Sequence, residues 1–437
     1  MSCSHYYLPS SAGDSAFAVD SQSIVFGRGV VAELGDHARS FSARRVAVFS
    51  DRRVRDLESS QRALASLRAA GCEVVVYDEV EIEPSDRSFL HAARFAREAG
   101  CDTYVSIGGG SVIDTCKAAL LYATYPADFL AYVNRPVGQG LPPPGPLPPH
   151  LALPTTSGTG SECTGIAVCG LLQTHAKVGI AHRSLRPSRA LIDPDFTASL
   201  PPNVVAASGF DVLCHAIESY TARPHTSRPR PERPTLRPMS QGSNPWSDLG
   251  SLEALRLCGR FLLRAVRDAT DAEARQGMMY AATLAGIAFG NAGVHIPHGM
   301  AYAIAGQVQD FRLAGYPPEV PLVPHGVSVV VAAPAVVRFT AAADPGRHLA
   351  CASALGAPIR DVAPTAAESG AYLSTCLVRL MQDCALPNGL SALGYARADI
   401  TALVSGSAIQ QRLLDNAPCL VEREHLEQLF SAAMTCW

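Results

Sequence analysis

Lysine is nearly absent from this chain of 437 residues: Lys117 and Lys177 are the only two, and every other basic residue is an arginine. A bias of that kind follows from genome composition, and it leaves each lysine as a position to inspect. Blocks of basic residues are missing too, and the formal net charge is -3. Both facts argue against nucleic acid or an acidic membrane surface as a partner. The 13 cysteines are odd in number and scattered, with no C-x-x-C pair. A secreted disulfide framework and a zinc ribbon are therefore excluded in favour of reduced thiols in a cytosol-like compartment. No segment reaches the roughly 18–20 apolar residues that span a bilayer; the best run, residues 327–337, is interrupted by Pro334. The N-terminus carries Asp14 and Asp20 and no arginine before Arg28, which fits neither a secretory signal nor an Arg-rich transit peptide, so the expected location is the cytoplasm. There is no internal repeat.

What is present is a long chain with enough apolar residues for two cores. Up to about residue 195, short apolar runs alternate with helical patterns. Strands are expected at 24–26, 45–50, 73–77, 104–107, 151–153, 165–171 and 190–192, with helices at 30–40, 59–70 and 86–99. That alternation predicts a mainly parallel, doubly wound α/β sheet over residues 1–195. From 196 to 437 the period changes to that of helices, expected at 204–222, 247–269, 271–290, 327–340 and 364–385, so the second domain is all-α. Residues 223–240 form a Pro/Arg-rich insertion, read as a long ordered or semi-ordered loop of the kind that often serves function.

Two loops of the first domain suit phosphate. Gly108-Gly109-Gly110-Ser111 stands where a strand turns into a helix, with Asp114 and Lys117 one turn apart on that helix. Glycines admit close backbone approach and a helix N-terminus offers free amides. The turn is not G-x-G-x-x-G, because Ile113 stands where the last glycine belongs, and by itself it reads first as a plain tight turn. The second loop, residues 155–161, presents the hydroxyls of Thr155, Thr156, Ser157, Thr159 and Ser161 after another apolar strand. Two such loops in one sheet fit the phosphates and ribose of a dinucleotide. Asp51, directly after its strand, either binds adenosine ribose hydroxyls or caps a helix.

In the second domain Asp211 and His215 lie four apart on an expected helix, hence on one face, with Glu218 close behind. Alone they are either a buried hydrogen-bonded pair or half a metal site. His298 and His325, both followed by glycine, are the natural further ligands, with His295 the rival to His298. One Asp and three His make an N/O site suited to a divalent transition metal acting as a Lewis acid.

Taken together, Gly108-Gly109-Gly110-Ser111 with Asp114, residues 154–162, Gly209-Phe210-Asp211 with His215 and Glu218, His298 and Pro324-His325-Gly326 resemble the iron-containing (group III) alcohol dehydrogenases, from about residue 20 to the C-terminus. The resemblance implies the dehydroquinate synthase-like architecture of an α/β NAD-binding domain followed by an all-α metal-binding domain. It implies Asp211, His215, His298 and His325 as ligands of Fe(II) or Zn(II). Gly109, Gly110 and Ser111, with Asp114 on their helix, would hold the NAD pyrophosphate. Thr155, Thr156, Ser157 and Ser161 would complete the cofactor cleft, and Asp51 would face the ribose.

Finer features, Asp114-Thr115-Cys116-Lys117, Val212-Leu213-Cys214-His215, Gln241-Gly242-Ser243-Asn244-Pro245 and Phe289-Gly290-Asn291, are similar to the hydroxyacid–oxoacid transhydrogenase branch, mitochondrial in animals. That branch couples oxidation of 4-hydroxybutyrate to succinic semialdehyde with reduction of 2-oxoglutarate to 2-hydroxyglutarate on retained NAD. The alternatives are an NAD-dependent alcohol or 4-hydroxybutyrate dehydrogenase that releases NADH, and a non-catalytic binding member of the fold. Small hydroxyacids and oxoacids, and a second copy in a homodimer, are the expected partners. The chain departs from many members at Tyr302, where a histidine is usual near the nicotinamide, and at Glu83-Pro84-Ser85-Asp86, where Pro-Asn-Pro is usual. Tyr302 is therefore taken as a catalytic candidate. The substrate carboxylates need a cationic anchor, for which Arg228, Arg233 and Arg237 are candidates and Arg237 the first choice.

Overall fold

A computed structural model of the chain describes residues 13–173, 176–358 and 365–437. The chain divides into two compact units, Ser21–Leu200, and Pro201–Trp437 together with Met1–Asp20.

The first unit is built on a six-stranded, fully parallel sheet. Its strands are β1 (Ser23–Phe26), β2 (Arg45–Phe49), β3 (Glu73–Tyr77), β4 (Thr103–Gly108), β5 (His150–Pro154) and β8 (Arg189–Ile192), in the order β1-β8-β5-β4-β2-β3. Helices α1 (Leu34–Ser40), α2 (Arg52–Arg55), α3 (Glu58–Ala69), α4 (Asp86–Ala99), α5 (Gly110–Thr124) and α6 (Phe129–Tyr132) accompany it. Alternation along β2 shows why both faces are covered. Val46 and Val48 pack with Leu34, Leu64 and Leu67 of α1 and α3, while Ala47 and Phe49 pack with Ala92 of α4 and with Cys116 and Leu120 of α5. Strands buried on both faces read as continuous apolar runs.

From β2 the chain steps to β3 and returns to β4 on the other side of β2. The reversal opens the crevice at the carboxyl ends of β2 and β4, the usual ligand position in such sheets.

Residues 165–171 do not join the sheet as expected. They form β6 (Ile166–Leu171), which pairs antiparallel with β7 (Ala176–Ala181) in a separate hairpin. β7 was not anticipated, since Lys177 and Gly179 break its apolar pattern.

The second unit is helical throughout: α7 (Pro202–Thr221), α8 (Pro245–Arg267), α9 (Ala272–Ala292), α10 (Ile296–Gly306), α11 (His325–Val330), α12 (Ala333–Thr340), α13 (Pro345–Ala354), α14 (Ala366–Asp383), α15 (Ile400–Ala408), α16 (Gln411–Leu414) and α17 (Arg423–Ala432). The single helix expected over 327–340 is two, because Pro334 has no N–H and starts a new helix in the first turn of α12. The expected start of α14 at 364 lies outside the described residues.

The first unit runs to Leu200, with the turn after β8 tied to the sheet. There Asp193 Oδ2 accepts from Val31 N at 3.3 Å and Asp195 pairs with Arg28 at 3.0 Å. Residues 13–20 go with the helices instead. Gln241 bonds the Ala18 backbone in both directions at 2.7 and 2.8 Å, and Asn291 Oδ1 accepts from Asp20 N at 2.7 Å. The insertion is ordered, with 3-10 turns at His225–Ser227 and Pro234–Leu236. Among the described residues all cysteines are free thiols, and no helix is long and apolar enough to cross a membrane.

Candidate functional site

Three helices of the second unit bring Asp211, His215, His298 and His325 together. α7 carries the first two one turn apart, α10 opens with His298 in its first turn, and α11 begins at His325. Asp211 Oδ1 is the centre: the Nε2 atoms of His215, His298 and His325 lie 3.6, 3.5 and 3.7 Å from it. The ligand atoms of all four residues fall within 4.8 Å of one another. The glycine after His325 explains how α11 gets so near, since a Cβ on Gly326 would overlap the Ala207 carbonyl oxygen of α7.

The donor set fits a divalent ion. Asp211 Oδ1 and His298 Nε2 are buried with no hydrogen-bond partner, a costly state for polar atoms unless something completes them. Two ligands bound at about 2.1 Å in tetrahedral geometry stand about 3.4 Å apart, close to the spacings seen here. Burial pushes the Asp211 carboxyl upward, but the imidazoles of His215, His325 and His298 outweigh it and hold the group well below the carboxylate range. Burial keeps His215 neutral, its pKa far below that of free imidazole. Neutral nitrogens and an ionised carboxylate are the forms that bind metal.

Glu218 sets the orientation of His298. His298 Nδ1 lies 2.6 Å from Glu218 Oε1, and Glu218 Oε2 accepts from the backbone amides of His295 at 2.7 Å and His298 at 3.4 Å. Burial lowers the pKa of His298, but the charges of Glu218 and Asp211 outweigh it and raise it to about 9, so an ion would take Nε2 in exchange for a proton while Nδ1–H is given to Glu218. His215 is held differently, its ring stacked on Phe289 with centroids 4.0 Å apart and planes 7° from parallel. His295, the rival ligand, turns away to Thr221 Oγ1 at 3.0 Å.

Tyr302 lies one turn beyond His298 and packs with Phe289, Val294 and Leu413. Tyr316 was not singled out in the sequence. Burial, and then the charge of Asp211, push its phenol up, so it stands within electrostatic reach of the cluster. Its position in the segment between His298 and His325 was the available signal. Arg237 is corrected: its Nε and Nη2 donate to Asp14 at 2.7 and 3.1 Å, so the guanidinium expected to hold a substrate carboxylate already holds one of the chain's own.

In the first unit, Asp51, Gly108–Ser111 and 155–161 follow β2, β4 and β5 at the carboxyl edge of the sheet. Gly109 precedes α5 and no side chain caps that helix, which leaves its leading amides to a ligand. A Cβ on Gly110 would come within 2.6 Å of Thr159 Cγ2, so glycine there is what lets the two loops approach. Ser111 Oγ accepts from Glu83 N at 3.2 Å, and Glu83 is ion-paired with Lys177. Glu83, in the departure at residues 83–86, thus links the glycine turn to Lys177.

Other cofactor candidates have structural partners as well. Asp51 Oδ1 caps α2 by accepting from Arg53 N at 2.9 Å and Val54 N at 3.0 Å. Asp114 accepts from Ser161 Oγ and from Val168 N at 2.9 Å. Lys117, with no exposed surface, donates to Ser161 O, Ser161 Oγ and Ile166 O, each at 2.7 Å. Asp114 and Ser161 therefore lock the two loops together from inside. Thr155 and Ser157 are buried and Thr156 is half-buried.

Comparison with known proteins agrees with this construction. Residues 21–194 match the family described as iron-containing alcohol dehydrogenase, and residues 238–434 match the C-terminal part of the Fe-containing alcohol dehydrogenase family. The mitochondrial hydroxyacid-oxoacid transhydrogenase of Xenopus laevis is 47% identical over 96% of this chain and 91% of its own length. That of Homo sapiens is 46% identical over 96% and 90%. The crystal structure of 1,3-propanediol oxidoreductase superposes with a TM-score of 0.83 at 27% identity, covering 96% of this chain and 100% of that one. The chain is a member of the iron-containing alcohol dehydrogenase family, within its hydroxyacid-oxoacid transhydrogenase branch.

Proposed function

We propose that the chain is a metal- and NAD-dependent hydroxyacid-oxoacid transhydrogenase, oxidising 4-hydroxybutyrate to succinic semialdehyde and reducing 2-oxoglutarate to 2-hydroxyglutarate. The observation that carries the metal-dependent reading is the buried, unbonded Asp211 Oδ1 ringed by three imidazoles. The named relatives support the choice of reaction. Fe(II) or Zn(II) held there would supply Lewis acidity to a hydroxyl or carbonyl oxygen, and NAD would carry the hydride between the two acids.

The chain's own residues do the rest. Asp211 and the three histidines hold the ion, Glu218 keeps His298 in the binding tautomer, and Phe289 excludes water from one face of His215. Gly109 and Gly110 offer the backbone of the α5 N-terminus to the pyrophosphate, with Thr155, Thr156 and Ser157 beside it. Asp51 keeps a second carboxylate oxygen for ribose while Oδ1 caps its helix. Tyr302, one turn from His298, would pass the hydroxyl proton outward. At neutral pH a phenol donates a proton more readily than it abstracts one, which suits the oxoacid-reducing half. The cycle is balanced: each turnover moves one hydride and one proton from hydroxyacid to oxoacid.

Label tracing tests the reading. With 4-hydroxybutyrate deuterated at its carbinol carbon and 2-oxoglutarate, deuterium is expected in 2-hydroxyglutarate even when excess unlabelled NADH is present. Dilution of the label by that NADH would instead show a dehydrogenase that exchanges its cofactor each turn.

A further inference from the structure

Lys177 and the departure at residues 83–86 meet beside the glycine turn of the first unit. Lys177, on β7, forms an ion pair with Glu83. Both side chains are mostly shielded, at 11% and 27% exposure, where such a pair is stronger than at the open surface. The contact is one half of a double attachment. Gly170 stands opposite Lys177 in the β6–β7 hairpin, and its N–H donates to Pro84 O at 2.8 Å. Ser85 forms a parallel bridge with Gly170, and Asp86 Oδ1 accepts from Leu172 N at 3.3 Å. Earlier in β6 the hairpin is fixed to α5: Asp114 accepts from Val168 N at 2.9 Å, and Lys117 donates to Ile166 O at 2.7 Å. The hairpin therefore straps residues 83–86 to the helix that begins at the glycine turn.

Under this strap lies a backbone conformation that needs holding. Glu83 has φ 57°, in the left-handed region that residues other than glycine seldom take. Such a residue persists where its surroundings over-determine it, and such residues cluster at ligand sites. Glu83 N donates to Ser111 Oγ at 3.2 Å. Ser111 is half-buried in the first turn of α5, and among the described residues its hydroxyl has no other partner. A hydroxyl carries one proton to give. With the Glu83 amide on its oxygen, that proton is left for a ligand at the uncapped helix end.

We propose that Lys177 and Glu83 are positioning residues for the cofactor: their ion pair holds the Glu83 amide on Ser111, so that the Ser111 hydroxyl donates to the diphosphate of the dinucleotide. A hydroxyl aimed at a phosphate oxygen makes a charge-assisted hydrogen bond, and a donor fixed in advance loses less freedom in making it. The role rests on the reading of the glycine turn as the NAD pyrophosphate site; it does not rest on the choice between transhydrogenase and dehydrogenase.

The test uses the full-length, metal-loaded protein and NADH as probe, its release followed by nicotinamide fluorescence after a chase with excess NAD. Lys177→Met and Glu83→Gln each break the ion pair, the second with the side-chain shape kept, so one variant serves if the other fails to fold. Both are expected to release NADH about tenfold faster and to bind it about tenfold more weakly, the scale of one charge-assisted contact, with partial recovery in Lys177→Arg. Ser111→Ala should lose a similar factor, and adding Lys177→Met to it should cost less than about twofold more. That non-additivity separates a route through Ser111 from general loosening of the fold, in which the two losses multiply. Release and affinity within about twofold of wild type in both single variants, at native metal content and Tm, would overturn the proposal, as would losses that multiply in the double variant. A wild type that binds no NADH rejects the cofactor reading as well, whereas one whose NADH binding ignores these substitutions rejects the proposal alone.

Discussion

The proposed metal cluster and the proposed nucleotide loops are built by opposite means. The helical unit leaves side-chain atoms unsatisfied: Asp211 Oδ1 and His298 Nε2 are buried and unbonded. The α/β unit instead commits several of its polar side chains to its own structure. Asp51 caps α2, and Asp114, Lys117 and Ser161 close a buried network. What it offers a dinucleotide is backbone at an uncapped helix end and a glycine that admits a neighbouring loop. A metal must be held by chosen side chains, whereas a pyrophosphate can be held by amides that every residue carries.

The largest effect that would sharpen this contrast is expected from His215→Ala. Loss of one ligand should empty the site and lower turnover by ~1000-fold, about 4 kcal/mol of barrier at about 1.36 kcal/mol per tenfold, while the fold survives. Elemental analysis beside circular dichroism checks it, and a variant with full metal and full rate would refute the ligand assignment. Glu218→Gln comes next. It keeps the shape but removes the charge that orients His298, and metal affinity should weaken by about 10–100-fold, read by competition with a chromophoric chelator. Gly110→Ala probes the other site. Its Cβ would meet Thr159 at 2.6 Å, so NAD affinity should fall about tenfold, ~1.4 kcal/mol, with metal content unchanged; loss of metal there would break the separation between the two sites.

The smallest effect at neutral pH concerns His150, buried in β5 with Nε2 2.8 Å from Ser106 Oγ. Burial, and secondarily Lys117, push its pKa down to about 3 from 6.5. A folded pKa below the unfolded one means stability is intact above about pH 6.5 and is lost as pH falls toward 3. Chemical denaturation across that range should show a shallower decline in His150→Gln than in wild type.

Much of the chain was legible from sequence. β3 and α4 fell at the expected residues because a Val run and a capped amphipathic pattern are local signals. Asp211, His215, His298 and His325 were readable because helical spacing and flanking glycines are local as well. Long-range partners were not. That Asp14 takes Arg237, that Ser161 turns inward to Asp114, and that Phe289 stacks on His215 depend on residues 47 to 223 positions apart. The hairpin of β6 and β7 was lost for a related reason, since its pairing stabilises a strand whose own pattern is broken by Lys177 and Gly179.

The most direct test is turnover by the purified, metal-replete protein with 4-hydroxybutyrate and 2-oxoglutarate and no added nucleotide. Succinic semialdehyde and 2-hydroxyglutarate should accumulate in equal amounts, and removal of the metal should abolish both. Product formation only after NAD is added, with NADH absorbance rising in step, would contradict the account.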